Sequence, residues 1–404
     1  MKYHPSYLEA QRELLLHAFE VGCETIPLSQ CGGRILAQDV IAIDDVPAFD
    51  RSPYDGYALR SEDTVNATKE TPKTLEVIEQ IAAQEVAHRK IGKNQAIRLM
   101  TGAMLPEGAD TIIMYEKTQF TDKTVTIFEP LKKNNNIIFK GEDVKKGSVL
   151  AKKGTLIDAG LAGTLASQGI DYPLVYKIPK VGIISTGSEI VEVDVEPKLG
   201  QIRNSNRHML ETLVKQLGYE PIYLGCVKDD INETCELIEA SISKCDVMIT
   251  TGGVSVGDFD FIPVVLEKIG ADILFRGVDM KPGMACAYAT YQNKLICGLS
   301  GNPASSLTNF YAVAYPAFKK ISGISKYEIE EITITLLNDF KKKSLKTRFL
   351  RGKMKIVDGM IGMELPKDQG NVVLSSTIGC NMIAIVPAGT QGLKQGTKLK
   401  GFTL

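Results

Sequence analysis

At 404 residues the chain exceeds the usual domain of about 100–200 residues, and its composition, 44% hydrophobic and 24% charged, excludes a fibre or a disordered polymer. Its 47 Lys plus Arg nearly cancel its 48 Asp plus Glu, so a net charge of -1 provides no global field for nucleic acid or an acidic membrane surface. The 8 cysteines never fall at C-x-x-C spacing, none of the 4 histidines is paired at i+4, and charges run through the first twenty residues; a soluble cytoplasmic protein with reduced thiols is expected, without a histidine zinc site or secretory signal.

From the amino terminus, Leu8, Leu14, Leu15, Ala18 and Phe19 fall near helical spacing, which predicts a helix over 7–21 closed by Gly22. Between Ile41 and Lys140 the pattern changes to short alternating runs such as KTLEVIEQI, QAIRLMTG and KTVTIFEPL, broken by Gly, Pro and Asn, as in an antiparallel β unit. A Gly- and Lys-rich return (140–154) and a small-residue helix (158–167) follow, so the β unit reads as an insertion in a helical linker region. From Pro179 onward strand and helix alternate: VGIIST, NRHMLETLVKQLG, PIYLGCV, ETCELIEASISK, DVMITT, FIPVVLEKIG and ILF, then two strands separated by Gln292 and Asn293, then a helix over 303–321. That alternation predicts a mostly parallel sheet covered on both faces. Beyond Gly323 the runs EEITITLL, RFLRGKMKIV, NMIAIVP and TKLKGFTL predict a small β-barrel or sandwich, with 341–348 a solvated basic loop.

Ligands of open α/β sheets bind beyond the carboxyl ends of the strands, and the polar clusters of the α/β segment follow such ends. Thr186, Gly187, Ser188 and Glu189 follow VGIIS; Asp229 and Asp230 follow PIYLGCV; Thr251, Gly252, Gly253, Ser255, Gly257 and Asp260 follow DVMIT. Glycines admit close backbone approach to a phosphate, and amide N–H groups supply positive partial charge without a basic side chain. Asp230 alone reads as a helix cap, whereas Glu189, Asp229 and Asp260 together suit a magnesium-bridged phosphate, since magnesium takes only one or two protein carboxylates. Lys281, before a Pro-Gly turn, suits an oxyanion or is an ordinary surface lysine; Pro303 in SGNPASS marks a second anion-friendly helix start. In the β unit, FDRSPYDGYALR, MTGAMLPEGAD and KGEDVKKG crowd Asp50, Arg51, Asp55, Thr101, Glu142 and Asp143 into turns.

Taken in order, FDRSPYDGYA, MTGAMLPEGAD, GEDVKKG, STGSEI, NSN, KDD, TTGGVSVGDFD, MKPG and LSGNPASS resemble the molybdopterin molybdenumtransferases, the MoeA family, over nearly the whole chain, and through it the E domain of gephyrin. The resemblance implies a helical linker domain (1–45 and 141–178), an inserted β domain (46–140), a three-layer α/β molybdopterin-binding domain with a mostly parallel sheet (179–325) and a small C-terminal β-barrel (326–404). It also implies a homodimer whose cleft is completed by the partner's inserted domain. The implied reaction inserts molybdate into adenylylated molybdopterin with magnesium-dependent release of AMP. An upstream adenylyltransferase would supply the substrate, and recipient molybdoenzymes would take the product.

Carried onto this sequence, Asp55, Asp143, Asp229, Asp260 and Lys281 are the catalytic candidates, with Asp229 and Asp260 also holding magnesium. Thr101, Glu142, Thr186, Glu189, Gly252, Gly253, Ser255, Pro303, Arg351 and Ser375 or Ser376 are the substrate-binding candidates. Two departures stand out. Many relatives carry SAMDGYA where this chain has SPYDGYA, and many carry a lysine where Gly277 lies beside Arg276, which leaves tungstate open as the natural oxyanion. A molybdopterin adenylyltransferase would resemble the α/β segment alone, so the inserted β unit and the C-terminal segment argue against that alternative. The retained Asp55, Asp143, Asp229 and Asp260 argue against a non-catalytic scaffold.

Overall fold

The computed structural model describes residues 2–254 and 261–404, in two compact units. One comprises Met1–Gln38, Lys153–Asp158 and Tyr172–Leu404; the other comprises Asp39–Lys152 and Ala159–Asp171.

In the first unit, helix Tyr7–His17 starts at a capping box, in which the Ser6 hydroxyl accepts from the Glu9 N–H and the Glu9 carboxylate accepts from the Ser6 N–H. It buries Ala10 and Leu14 and ends four residues short of the periodic pattern, because the chain is extended at Ala18 and the Val21 N–H donates to the Ile321 carbonyl. That exit lets Cys23–Thr25 pair antiparallel with Leu174–Tyr176.

Seven strands form the α/β sheet, in the order Lys2–Tyr3, Asp272–Arg276, Cys286–Tyr291, Lys294–Leu299, Val247–Thr251, Lys180–Thr186, Glu220–Val227. The last four are mutually parallel, and Cys286–Tyr291 and Lys294–Leu299 form an antiparallel hairpin. Gln292 and Asn293 turn that hairpin with φ of 49° and 60°, the two positive values a type I′ turn needs. Val181, Ile183, Val247, Ile249 and Tyr288 pack one face against Leu210, Leu213, Phe310 and Phe318; Ile184, Met248 and Ile296 pack the other against Ile238, Ile262 and Leu266. Each face therefore buries a helix layer, the arrangement that the near-continuous apolar strands require.

The predicted helix over 303–321 forms as Pro303–Asn309, a π turn Phe310–Ala314 and Tyr315–Ile321. Pro316 has no N–H to give the Ala312 carbonyl, and that carbonyl instead accepts from Gln11 Nε2 at 2.7 Å. The C-terminal strands close into a barrel: Thr347–Val357, Met360–Glu364, Ile332–Leu336, Lys398–Thr403 and Met382–Val386 form a ring because the last pairs back with the first. Met360–Glu364 was not anticipated from the sequence, although Asp358 and Gly359 turn into it with positive φ, a legible hairpin signal.

The second unit holds a six-stranded sheet, in the order Thr111–Met114, Gly56–Leu59, Gln95–Leu99, Lys73–Ile81, Thr124–Ile127, Thr118–Phe120. Its pairings are antiparallel except Lys73–Ile81 with Gln95–Leu99, where the excursion over 82–94 carries the chain back to the strand's starting end. Both faces are buried, one by Tyr57, Leu75, Ile113 and Val125, the other by Ala58, Ile97, Leu99 and Ile112. Helix Ala159–Ser167 belongs to this unit. Among the described residues no helix is long and apolar enough to cross a membrane.

Candidate functional site

Four parallel strands, Lys180–Thr186, Glu220–Val227, Val247–Thr251 and Lys294–Leu299, end at one cleft of about 720 Å³ within the first unit. Thr186, Glu189, Asp229, Gly252, Gly253 and Pro303 all line it, so the polar clusters that are far apart in sequence meet there. Ser255 and Asp260 lie outside the described residues.

The floor of the cleft is backbone held at close range. The Gly252 N–H donates to the Leu299 carbonyl, and the Thr186 hydroxyl donates to the Thr251 carbonyl at 3.1 Å. Gly252 has φ of +99°, and a Cβ there would lie 2.5 Å from the Thr186 carbonyl oxygen; Gly253 has φ of +61°, with Phe261 and Ile262 3.0 Å from such a Cβ. Both positions therefore require glycine, and the turn exposes main chain rather than side chain. Across the cleft, Pro303 starts its helix behind Asn302, with no N–H of its own to leave unsatisfied.

Charge at the rim is acidic. Asp229 Oδ2 accepts from the Ser188 N–H at 3.1 Å, while the Ser188 hydroxyl accepts from the Asp229 N–H at 3.2 Å, which ties two strand ends together. The neighbouring Asp230 instead caps helix Ile231–Ser241, accepting from the Glu233 N–H at 2.9 Å. Burial raises the Cys226 thiol pKa, and the nearby Glu192, Glu189 and Asp229 raise it further, so three carboxylates share this neighbourhood. Burial also opposes ionisation of Glu192, but hydrogen bonds from Tyr223 and Arg207 more than offset it and hold the carboxyl below its ordinary value.

Residues 203–206, to which the sequence reading assigned no role, also line the cleft. Asn204 caps helix Ser205–Gln216 and Asn206 Nδ2 donates to the Gly301 carbonyl at 2.8 Å, so the NSN triplet joins one wall to the SGNP turn. Arg203 brings a cation to the rim, paired with the exposed Glu196. The signal for these residues was their position at a helix start, one crossover away from VGIIST.

Lys281, Arg351 and Ser375 do not line the cleft. Lys281 is exposed in a two-residue strand, Met280–Lys281, that pairs parallel with Thr347 and Arg348. Arg351 is 1% exposed, with its terminal nitrogens at 3.4 Å from the Thr308 hydroxyl, 3.3 Å from the Gly370 carbonyl and 3.1 Å from the Ser376 hydroxyl. Burial lowers its pKa and leaves its Nε without a partner. Ser376, not the exposed Ser375, is its neighbour, and Arg351 stands behind the loop whose Asn371, Val372 and Leu374 reach the cleft. Gly277 has φ of +67°, and a Cβ there would lie 2.4 Å from the His4 ring, so a lysine at that position would strain the backbone and displace the exposed His4 ring.

A second constellation lies in the other unit. Both the N–H and the hydroxyl of Thr101 donate to Asp55 Oδ1, at 2.6 and 2.8 Å, and hold the Asp55 carboxyl below its ordinary pKa. Bridges of Arg51 to Met104 and Ile138, and of Val46 to Val144, lay the turns carrying Asp55, Thr101, Glu142 and Asp143 side by side. Glu142 accepts from the Phe139 N–H at 2.9 Å, and Asp143 is exposed.

Comparison with known proteins places this geometry. Residues 6–169 match the family model described as "MoeA N-terminal region (domain I and II)", and residues 182–320 match "Probable molybdopterin binding domain". The chain is 38% identical over 392 residues to a molybdopterin molybdenumtransferase of Staphylococcus epidermidis, covering 97% of this chain and 93% of that protein. It belongs to the MoeA family of molybdopterin molybdenumtransferases. A molybdopterin molybdenumtransferase of Staphylococcus aureus is 37% identical over 372 residues, covering 92% and 89%. Among solved structures, the molybdopterin biosynthesis MoeA protein of Pyrococcus horikoshii superposes with a TM-score of 0.86 at 32% identity, covering 99% of this chain and all of that one. The chain is thus a transferase of molybdenum cofactor biosynthesis, with the multidomain α/β and β fold of that family.

Proposed function

We propose that the transferase inserts molybdate into adenylylated molybdopterin and releases AMP, and that the cleft at the strand ends holds the phosphates of that substrate. The observation that carries the proposal is the Gly252–Gly253 turn: main chain packed too closely for a Cβ, at the carboxyl end of a central parallel strand, between an anion-compatible helix start and two carboxylates. Thr186, Gly252, Gly253 and Pro303, with Ser255, form the phosphate cradle, and Glu189 orients the ligand from the rim.

Magnesium fits the donor set. Asp229 uses one carboxylate oxygen on the Ser188 N–H, and Glu189 lines the same rim, which supplies the one or two carboxylates that magnesium takes alongside substrate phosphate. Asp229 and Asp260 would hold the ion, which when bound neutralises phosphate charge and polarises the phosphoanhydride. The protein's part is to fix that phosphate against rigid main chain and to set the carboxylates beside it.

The proposal includes a homodimer in which the Asp55, Thr101, Glu142 and Asp143 cluster serves the cleft of the partner subunit, and a cytoplasmic setting between an adenylyltransferase that supplies the substrate and molybdoenzymes that receive the product. The Thr101 bonds keep Asp55 an ionised acceptor at the surface, as a substrate-contacting carboxylate needs to be. Lys281, the exposed residue of its two-residue strand, stays within the proposal as an anion contact. The deciding assay supplies adenylylated molybdopterin, magnesium and molybdate or tungstate, and follows AMP. Release that rises with the oxyanion is expected; release indifferent to both oxyanions would refute insertion.

A further inference from the structure

Tyr57, Arg98, Tyr115 and Phe120 form a group in the second unit that the proposed reaction leaves without a task. Tyr57 and Arg98 stand opposite each other on adjacent antiparallel strands. The three rings pack at centroid distances of 5.4 Å (Tyr57–Tyr115), 5.9 Å (Tyr57–Phe120) and 5.5 Å (Tyr115–Phe120). The Arg98 guanidinium carbon lies 4.8 Å from the Tyr115 centroid and 5.3 Å from the Phe120 centroid, and its Nε donates to the Tyr115 hydroxyl.

Two features are out of place in a group that only closes the core. Phe120 is 47% exposed although it tops a stack whose base, Tyr57, is fully buried with an unpartnered hydroxyl. Arg98 feels the charge of Asp122 without an ion pair to it among the described residues, and its hydrogen bond to Tyr115 leaves its terminal amino groups, a flat two-pronged donor, unused there. The group adjoins Asp55, whose carbonyl accepts from the Tyr115 N–H at 3.3 Å and whose carboxyl Arg98 helps to keep ionised.

We propose that this group is a stacking platform for a flat nitrogen heterocycle that carries a phosphate. The ring lies on Phe120, and the Arg98 amino groups meet the phosphate or a ring acceptor. The identity of the ligand rests on the proposed function, whose substrate contains two such heterocycles, adenine and pterin; either source fits the shared chemistry. Stacking a base on an aromatic side chain accounts for roughly 5- to 150-fold in affinity.

The test is calorimetric titration of the full chain with AMP, with a pterin monophosphate and with ribose 5-phosphate, for the wild type, Phe120→Ala and Phe120→Leu. Phe120→Ala is expected to weaken AMP or the pterin phosphate by roughly 5- to 150-fold, with Phe120→Leu restoring only part and ribose 5-phosphate unchanged; the ligand that loses affinity names the ring. Equal affinities in wild type and Phe120→Ala, equal weakening of ribose 5-phosphate, or no binding of either heterocycle by the wild type overturns the platform. Turnover separates this from the proposed function. A Phe120→Ala protein with unchanged KM, beside a wild type that inserts molybdate, sinks the platform alone, while a wild type without oxyanion-dependent AMP release sinks the function and leaves the titrations to decide the platform.

Discussion

Replacing Arg351 by methionine should stabilise the protein while weakening its use of the oxyanion. The guanidinium is 1% exposed, its three side-chain hydrogen bonds are 3.1 to 3.4 Å long, its Nε has no partner, and burial lowers its pKa more than the nearby Cys380 and Asp368 raise it, so the folded state bears the cost of an incompletely compensated charge. Removing it strands little. The Ser376 hydroxyl still donates to the Val373 carbonyl at 2.6 Å and the Thr308 hydroxyl to the Ala304 carbonyl at 2.7 Å, so only the Gly370 carbonyl loses a donor. That loss costs about 1–3 kcal/mol, against several kcal/mol for a buried, unpaired ion. The net expectation is a gain of about 1–3 kcal/mol, read as a rise of roughly 2–6 °C in the unfolding midpoint by scanning calorimetry. Because Arg351 stands behind the loop 371–374 that lines the cleft, the lost positive charge should raise the KM for molybdate roughly tenfold, about 1.4 kcal/mol, with kcat changed little. A destabilisation above about 2 kcal/mol would show that Arg351 is a strut whose bonds outweigh its desolvation, and the reasoning would fail.

The adjacent aspartates should separate cleanly: Asp230→Ala removes the cap of helix Ile231–Ser241 and costs about 1 kcal/mol of stability with AMP release kept, whereas Asp229→Ala should abolish molybdate-dependent AMP release with the unfolding midpoint nearly unchanged. Gly252→Ala puts a Cβ 2.5 Å from the Thr186 carbonyl at φ of +99°; a loss of about 1–3 kcal/mol and of phosphate binding, by calorimetry, is expected, and an unimpaired variant would remove the cradle from the proposal. Thr101→Val deletes one of the two donors to Asp55, so the Asp55 carboxyl pKa, followed by carbon-detected NMR, should rise toward its ordinary value while remaining below it. Because the folded pKa is depressed, the stabilisation from the Asp55–Thr101 bonds is complete above the ordinary carboxylate pKa and is lost as pH falls through the lowered value; Thr101→Val should shrink that acid-limb loss, and an identical acid limb would refute the pairing.

Much of the α/β segment was legible because its information is local. Val247–Thr251, Cys286–Tyr291 and Lys294–Leu299 are each short apolar runs, and Gln292–Asn293 announces a hairpin. The helix after Pro303 was legible as one element, but its π turn was not, since Pro316 forces it only in combination with Gln11, some three hundred residues away. Thr186, Glu189, Asp229 and Gly252 were legible as residues of one crevice, whose lining they share, because strand ends and glycine turns mark them. Asn204 and Asn206 stood only within the NSN motif, without a role, and Arg203 was not marked at all, because their place comes from the wall they share with Gly301.

By itself the sequence determined the strand and helix rhythm, the glycine turns and the family motifs, all properties of residues within a turn or two of one another. Tertiary structure alone decided that Arg351 is buried beside Ser376 rather than Ser375, that Lys281 and Arg351 stand outside the cleft lining, and that Asn206 joins its helix start to the Gly301 carbonyl. The reason is that burial, charge compensation and closure depend on which distant segments a crossover brings together, and neighbouring residues in a turn point in different directions whatever their common composition.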